Sequence, residues 1–280
     1  MKNYKKTKIA CYLGFITQAI AANFAPLLFL KFHMDYNISL GNIALISTCF
    51  FFTQLVVDLF CAKFVDRIGY RACIVASEVC SALGLVGLAI LPDLLSNPYM
   101  GIIISVITYA IGSGLIEVLC SPIVEACPFE NKEATMSLLH SFYCWGAVGT
   151  ILVSTAFFAI FGIDSWKYLA VLLALVPAIN IYNFATCPIE YLVEDGEGMS
   201  IPSLFKTPLF WVAIILMVCL QKIQLLILVP LNVHYELLIS GYIITDFTVR
   251  QLLLAKCQTL SLFSLLHLVV VLMQLLQIRF

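Results

Sequence analysis

The chemistry in this sequence is concentrated in a few polar side chains set in long apolar runs. Foremost is Glu117, inside Ile111 to Glu125, Ile-Gly-Ser-Gly-Leu-Ile-Glu-Val-Leu-Cys-Ser-Pro-Ile-Val-Glu. A carboxylate near the bilayer centre costs ~2.5–3.5 kcal/mol on insertion scales, so such a residue is expected to face a bundle interior or a wet cavity. Gly112, Ser113 and Gly114 let a neighbouring helix approach closely enough to cover it, and Ser121-Pro122 loosens the helix one turn later. Gln18 and Asn23 stand in an earlier apolar run, and Gln54 and Asp58 lie four residues apart, on one helical face. His140 and Tyr143 are three apart in a later run, beside Gly146 and Gly149. Polar side chains of this kind either glue helices together or line a pathway. Their gathering in successive runs suits recognition of a small polar solute and exchange of a proton at Glu117, with no covalent chemistry.

The elements that must position them follow from composition. The 280 residues are 62% hydrophobic and 11% charged, which excludes a soluble domain and implies a multi-pass all-α membrane protein in contact with the lipid bilayer. The net charge of −1 gives no reason to expect a nucleic-acid partner. Most of the 11 cysteines fall in apolar runs, where they act as small hydrophobes and are expected to be reduced. There is no CxxC, HExxH or GxSxG, so no metal, cofactor or enzymatic activity is expected.

In chain order, the basic arm Met1 to Lys8 is placed in the cytosol by the positive-inside rule. Span 1 is predicted from Ile9 to Leu30, a loop from Lys31 to Gly41, span 2 from Asn42 to Lys63 and span 3 from Ala72 to Leu91. Span 4 carries Glu117, span 5 follows a loop at Asn131, Lys132 and Glu133, and span 6 runs from Trp166 to Ile189. Glu78 in span 3 is expected to pair with a nearby arginine, and Asn180 and Asn183 share a face of span 6. With this topology the cytosolic segments up to Lys206 hold nine Lys or Arg, whereas the outer segments hold Lys31 and Lys167. The arrangement is a cell-membrane protein with a cytoplasmic N-terminus.

Between spans 2 and 3 the charged turn Ala62-Lys-Phe-Val-Asp-Arg-Ile-Gly-Tyr-Arg71 resembles the loop 2–3 signature of the major facilitator superfamily, Gly-x-x-x-Asp-Arg-x-Gly-Arg-Arg/Lys. Asp66, Arg67, Gly69 and Arg71 match it. Ala62 replaces the first glycine and Tyr70 a basic residue. The resemblance implies a cytoplasmic gate made by these four. Gly112, Gly114, Glu117 and Pro122, with Phe142 and Gly146, further resemble the fucose-permease-like sugar/proton symporters. Ser121 stands for an asparagine of that branch, and His140 and Tyr143 occupy its polar positions in the fifth helix. Span 1 departs from it: Asn23-Phe-Ala-Pro26 lacks the branch's aspartate.

The resemblance implies an N-terminal six-helix bundle over residues 1–189, a cytoplasmic linker over 190–206 and a partial C-terminal half over 207–280. That half would contain an incomplete seventh helix from Leu209 and room for an eighth. Its composition shifts after Leu220, where Gln221-Lys-Ile-Gln224 places a charge near mid-bilayer. The last 60 residues hold one of the 14 glycines, which reads as a truncated or frame-shifted product lacking its C-terminal half. The expected function is secondary active transport of a small solute, a sugar, by alternating access coupled to protons. The competing expectation is a membrane fragment or regulatory half-transporter that moves nothing.

Overall fold

The computed structural model describes residues 4–190 and the single position Ile215; the side chains of Ala62, Lys63, Asp66 and Arg67 are outside that description. The expected linker beyond residue 190, the incomplete seventh helix and the region after Leu220 also lie outside the described residues. Residues 4–190 fall within one unit, Met1–Glu194.

Seven helices follow in order: α1 (Tyr4–Leu27), α2 (Phe29–Tyr36), α3 (Leu40–Ile68), α4 (Tyr70–Leu94), α5 (Pro98–Ala126), α6 (Lys132–Phe161) and α7 (Trp166–Thr186). Six are long and apolar enough to cross a membrane, all except α2. A helix satisfies its own backbone, which is why an apolar run in a bilayer folds this way.

The boundaries differ from the sequence reading in physically interpretable ways. The first span closes at Leu27, just after Pro26, and the expected loop from Lys31 becomes the short helix α2. An ion pair at helical spacing, Lys31 with Asp35 at 2.8 Å, supports α2. Asn37 ends it in the left-handed region at φ 53°, and Ser39 caps α3 by accepting from Asn42 N–H at 3.3 Å. Asn131, expected in a loop, caps α6 by accepting from Ala134 N–H at 3.0 Å, and Lys132 and Glu133 form its first turn. Gly69 has φ +96°, a conformation that L side chains rarely adopt, and it separates α3 from α4 in one residue.

α5 is the hub. It packs most extensively on α4 and also touches α3, α1 and α6, while α7 lies against α4 and α1. Along α4 and α5 glycines bring the backbones together. A Cβ on Gly84 would meet the Tyr109 backbone nitrogen and the Ser105 carbonyl, one on Gly101 would meet Leu91, and one on Gly112 would come within 2.8 Å of the Ser81 nitrogen. Close approach of this kind substitutes for the hydrophobic drive that helices lack among lipid tails.

Side chains tie the bundle at both ends. At the end bearing the N-terminus, Thr7 donates to the Pro188 carbonyl at 2.6 Å and Tyr4 to Glu190 at 2.7 Å. At the other end Lys31 also pairs with Asp164, Lys167 pairs with Asp93, and Tyr36 donates to Asp93 at 3.0 Å. Asp164 beside Lys31 raises the lysine above its ordinary value, and burial, with the Asp93 bond, raises the Tyr36 phenol. The nine described cysteines are free thiols. Cys127, just past α5, is pushed up to about 12, chiefly by burial, so it is an inert packing thiol.

Candidate functional site

The site is assembled where α1, α3 and α5 meet. Glu117 is half-buried on α5, and its Oε2 accepts from Gln54 Nε2 of α3 at 2.6 Å and from Gln18 Nε2 of α1. Two neutral carboxamides from different helices therefore close on one carboxylate oxygen. Each hydrogen bond to a charged group contributes about 1.5–3 kcal/mol, which offsets part of the cost of holding the acid inside. The approach is possible because Gly114, one turn before Glu117, has no side chain: a Cβ there would stand 3.1 Å from Val57 and 3.3 Å from the Gln54 carbonyl.

α6 closes another side. Gly146 sits against α1, where a Cβ would lie 2.9 Å from that of Ala19, and the resulting contact brings Tyr143 beside Asn23 and within electrostatic range of Glu117. Asn23 Nδ2 also donates to the Ala19 carbonyl at 2.8 Å, which anchors its side chain on α1. Tyr12 stacks on Phe142 with ring centroids 4.4 Å apart, fixing α6 on the same face of α1.

Five of the sequence-predicted residues thus come together: Gln18, Asn23, Gln54, Glu117 and Tyr143. His140 is one turn before Tyr143, exposed, with its ring edge-on to Phe15 at 5.3 Å. Asp58 lies one turn beyond Gln54 and is completely buried near Cys61. Of the gate motif, Gly69 makes the tight junction already described, and the side chains of Asp66 and Arg67 lie outside the description. Arg71 donates to the Phe184 and Ala185 carbonyls at 3.0 and 2.9 Å. It therefore caps the C-terminal end of α7, where orphan carbonyls and the negative end of the helix dipole favour a cation.

Glu78 does not pair with Arg71, the described arginine nearest to it in sequence. Arg71 is committed to α7, and Glu78 instead accepts from Asn180 Nδ2 at 2.8 Å. Asn180 is 102 residues away in sequence, and periodicity reports only which face a residue occupies. Thr17, buried next to Gln18 and also beside Glu78, is a residue that the sequence reading did not select. A hydroxyl adjoining an intramembrane carboxamide was the available signal.

Comparison with known proteins bears on what this arrangement belongs to. No curated protein matches the sequence at a significant level. The fold is similar to the proton:xylose symporter XylE bound to 6-bromo-6-deoxy-D-glucose, with a TM-score of 0.59 and 14% identity over 66% of this chain and 45% of that one. It is equally similar to the inward open conformation of the xylose transporter XylE from E. coli, with a TM-score of 0.59, 16% identity, and 69% and 50% coverage. The chain spans about half the length of these solved structures. The sequence matches the Major Facilitator Superfamily over residues 10–279, a range that takes in the compositionally shifted C-terminal stretch. With six membrane-length helices among the described residues and a match along nearly its whole length, the chain belongs to the Major Facilitator Superfamily.

Proposed function

We propose that this chain is part of a secondary transporter in which the α1–α3–α5–α6 crossing around Glu117 binds a small polyhydroxyl solute, a sugar, and exchanges a proton as access alternates. The observation that carries the reading is Glu117 itself, half-buried and held by Gln18 and Gln54 with Tyr143 and Asn23 alongside. Carboxamides, a phenol and a carboxylate supply the mixed donors and acceptors that hydroxyl groups require. The similarity to a xylose symporter supports a sugar, and it supports proton coupling. In this reading His140 and Asp58 extend the polar lining, and Asp66, Arg67, Gly69 and Arg71 form the gate at a cytoplasmic face that also holds the N-terminus. Arg71 has the geometry of a latch between α4 and α7.

The test is proton-linked uptake of hexoses and deoxyhexoses by the chain reconstituted in vesicles. Glu117→Gln is expected to abolish the pH dependence of uptake; pH-dependent uptake unchanged by that substitution would remove Glu117 from coupling. A second reading is a half-transporter or non-transporting fragment. A chain that moves no sugar alone but does so with a co-expressed C-terminal half is a half-transporter. One that stays silent in both settings is a fragment.

A further inference from the structure

A second acid lies in the bundle outside the Glu117 site. Glu78 of α4 has no solvent exposure at all, and its surroundings are neutral. From α7, Asn180 donates to Oε1. From α1, the Thr17 hydroxyl stands beside the carboxyl, and Gly14 is close enough that a Cβ would lie 3.5 Å from Oε1. From α5, the Cys120 thiol lies within electrostatic range. None of these groups carries a positive charge.

Complete burial among neutral groups decides which form of the acid fits. Both amide hydrogens of Asn180 are in use, one on Glu78 and one on the Ala10 carbonyl at 3.0 Å. Glu78 Oε2 and Thr17 Oγ1 are both fully buried, and the hydroxyl is the group that adjoins the carboxyl from α1. The Thr17 hydroxyl can donate to Oε2 or accept a proton carried there, so it can partner either form of the acid. Charge decides between them: an ionised Glu78 would be a fully buried anion with no cation among the described groups around it, the arrangement that folded proteins avoid, so the neutral acid fits.

The two acids share supports. Thr17 adjoins Glu78 and the next residue, Gln18, donates to Glu117; on α5, Cys120 lies three residues beyond Glu117 and faces Glu78. We propose that Glu78 is a second proton site, carried as the neutral acid, which ties α4 to α1 and α7 and is coupled to Glu117 through the adjacent side chains Thr17 and Gln18. The coupling is electrostatic and structural, so no proton passes through Gln18. When Glu78 ionises, its proton leaves, the Oε2 donor is lost, and a negative charge appears one helix away from Glu117. The site stands whether or not the chain moves a solute.

Infrared spectroscopy of the reconstituted full chain labelled with 13C-glutamate tests this without any transport assay. A carbonyl stretch of a protonated glutamic acid is expected at neutral pH, retained in Glu117→Gln and lost in Glu78→Gln. Thr17→Val, which removes only the hydroxyl, is expected to shift that band, and it keeps the assignment testable if Glu78→Gln fails to fold. With the negative charge at Glu117 removed, Glu78 is easier to ionise, so in Glu117→Gln the band is expected to disappear at a lower pH than in the wild type. Absence of a protonated-glutamate band, or a band indifferent to both Glu78→Gln and Thr17→Val, overturns the site. A titration identical in wild type and Glu117→Gln overturns the coupling.

Discussion

The α4–α5 seam and the α1–α3–α5 crossing both join helices through glycines, yet they do opposite things with the space. Along the seam the vacant positions at Gly84, Gly101 and Gly112 are filled by the backbone of the facing helix, so the two helices are in backbone contact. At the crossing the space beside Gly114 is bounded by Val57 and the Gln54 backbone, and it admits side chains that converge on Glu117. The seam has no tolerance for added volume, whereas the crossing is held by hydrogen bonds that can exchange partners. Rigidity and adaptability thus sit one turn apart on a single helix, α5.

The contrast is sharpest under substitution. Gly112→Val is expected to cost about 3 kcal/mol or more, because a side chain there meets the Ser81 and Ser77 backbone, which cannot rotate away. Gly149→Val, with nothing within 4 Å of its Cβ position, is the matched control. Thermal unfolding in detergent should drop markedly for the first and scarcely move for the second; equal shifts would dissolve the distinction. At the crossing, Gln54→Leu removes one charge-assisted bond, an expected loss of about 1.5–3 kcal/mol, with Gln18 still in place. Its unfolding curve should fall between those two.

Smaller effects are expected at the ends. Arg71→Ala strips the cation from the last carbonyls of α7 and should cost about 0.3–2 kcal/mol, read as faster hydrogen exchange confined to that helix end. The opposite end should be alkali-sensitive. Lys31 and Tyr36 are both raised, so both hold their protons more tightly when folded. Their contribution is complete below the unfolded values near 10 and is lost as pH climbs through the folded ones. The ion pairs there are partly exposed, so the loss should be under about 1 kcal/mol and should shrink further in high salt. A melting temperature flat across the alkaline range would count against these pairs.

Six membrane-length helices were legible because long apolar runs admit one solution in a bilayer. Glu117, Gln18 and Gln54 were legible because strong hydrogen-bonding groups in such runs must meet something. Other features were not. Lys31 to Tyr36 is too polar for a span and was read as a loop, although the i,i+4 pair of Lys31 and Asp35 was visible. Glu78 was expected to seek an arginine because charge pairing is the commonest rescue of a buried acid; its partner Asn180 depends on how α4 and α7 pack, which no local pattern encodes. Arg71 matched the motif by residue, but its carbonyl partners on α7 follow from tertiary structure alone.

The bonds from Arg71 and Glu78 to α7 also set an order of assembly. Both side chains enter the membrane on a helix made early, while the carbonyls of Phe184 and Ala185 and the amide of Asn180 are synthesised about a hundred residues later. Throughout that interval a nascent α4 carries an arginine and an acid whose partners on α7 do not yet exist. Arrival of α7 is therefore the event that completes the ties of α4 and α1, and a ribosome stalled before it would leave a chain prone to capture by quality control.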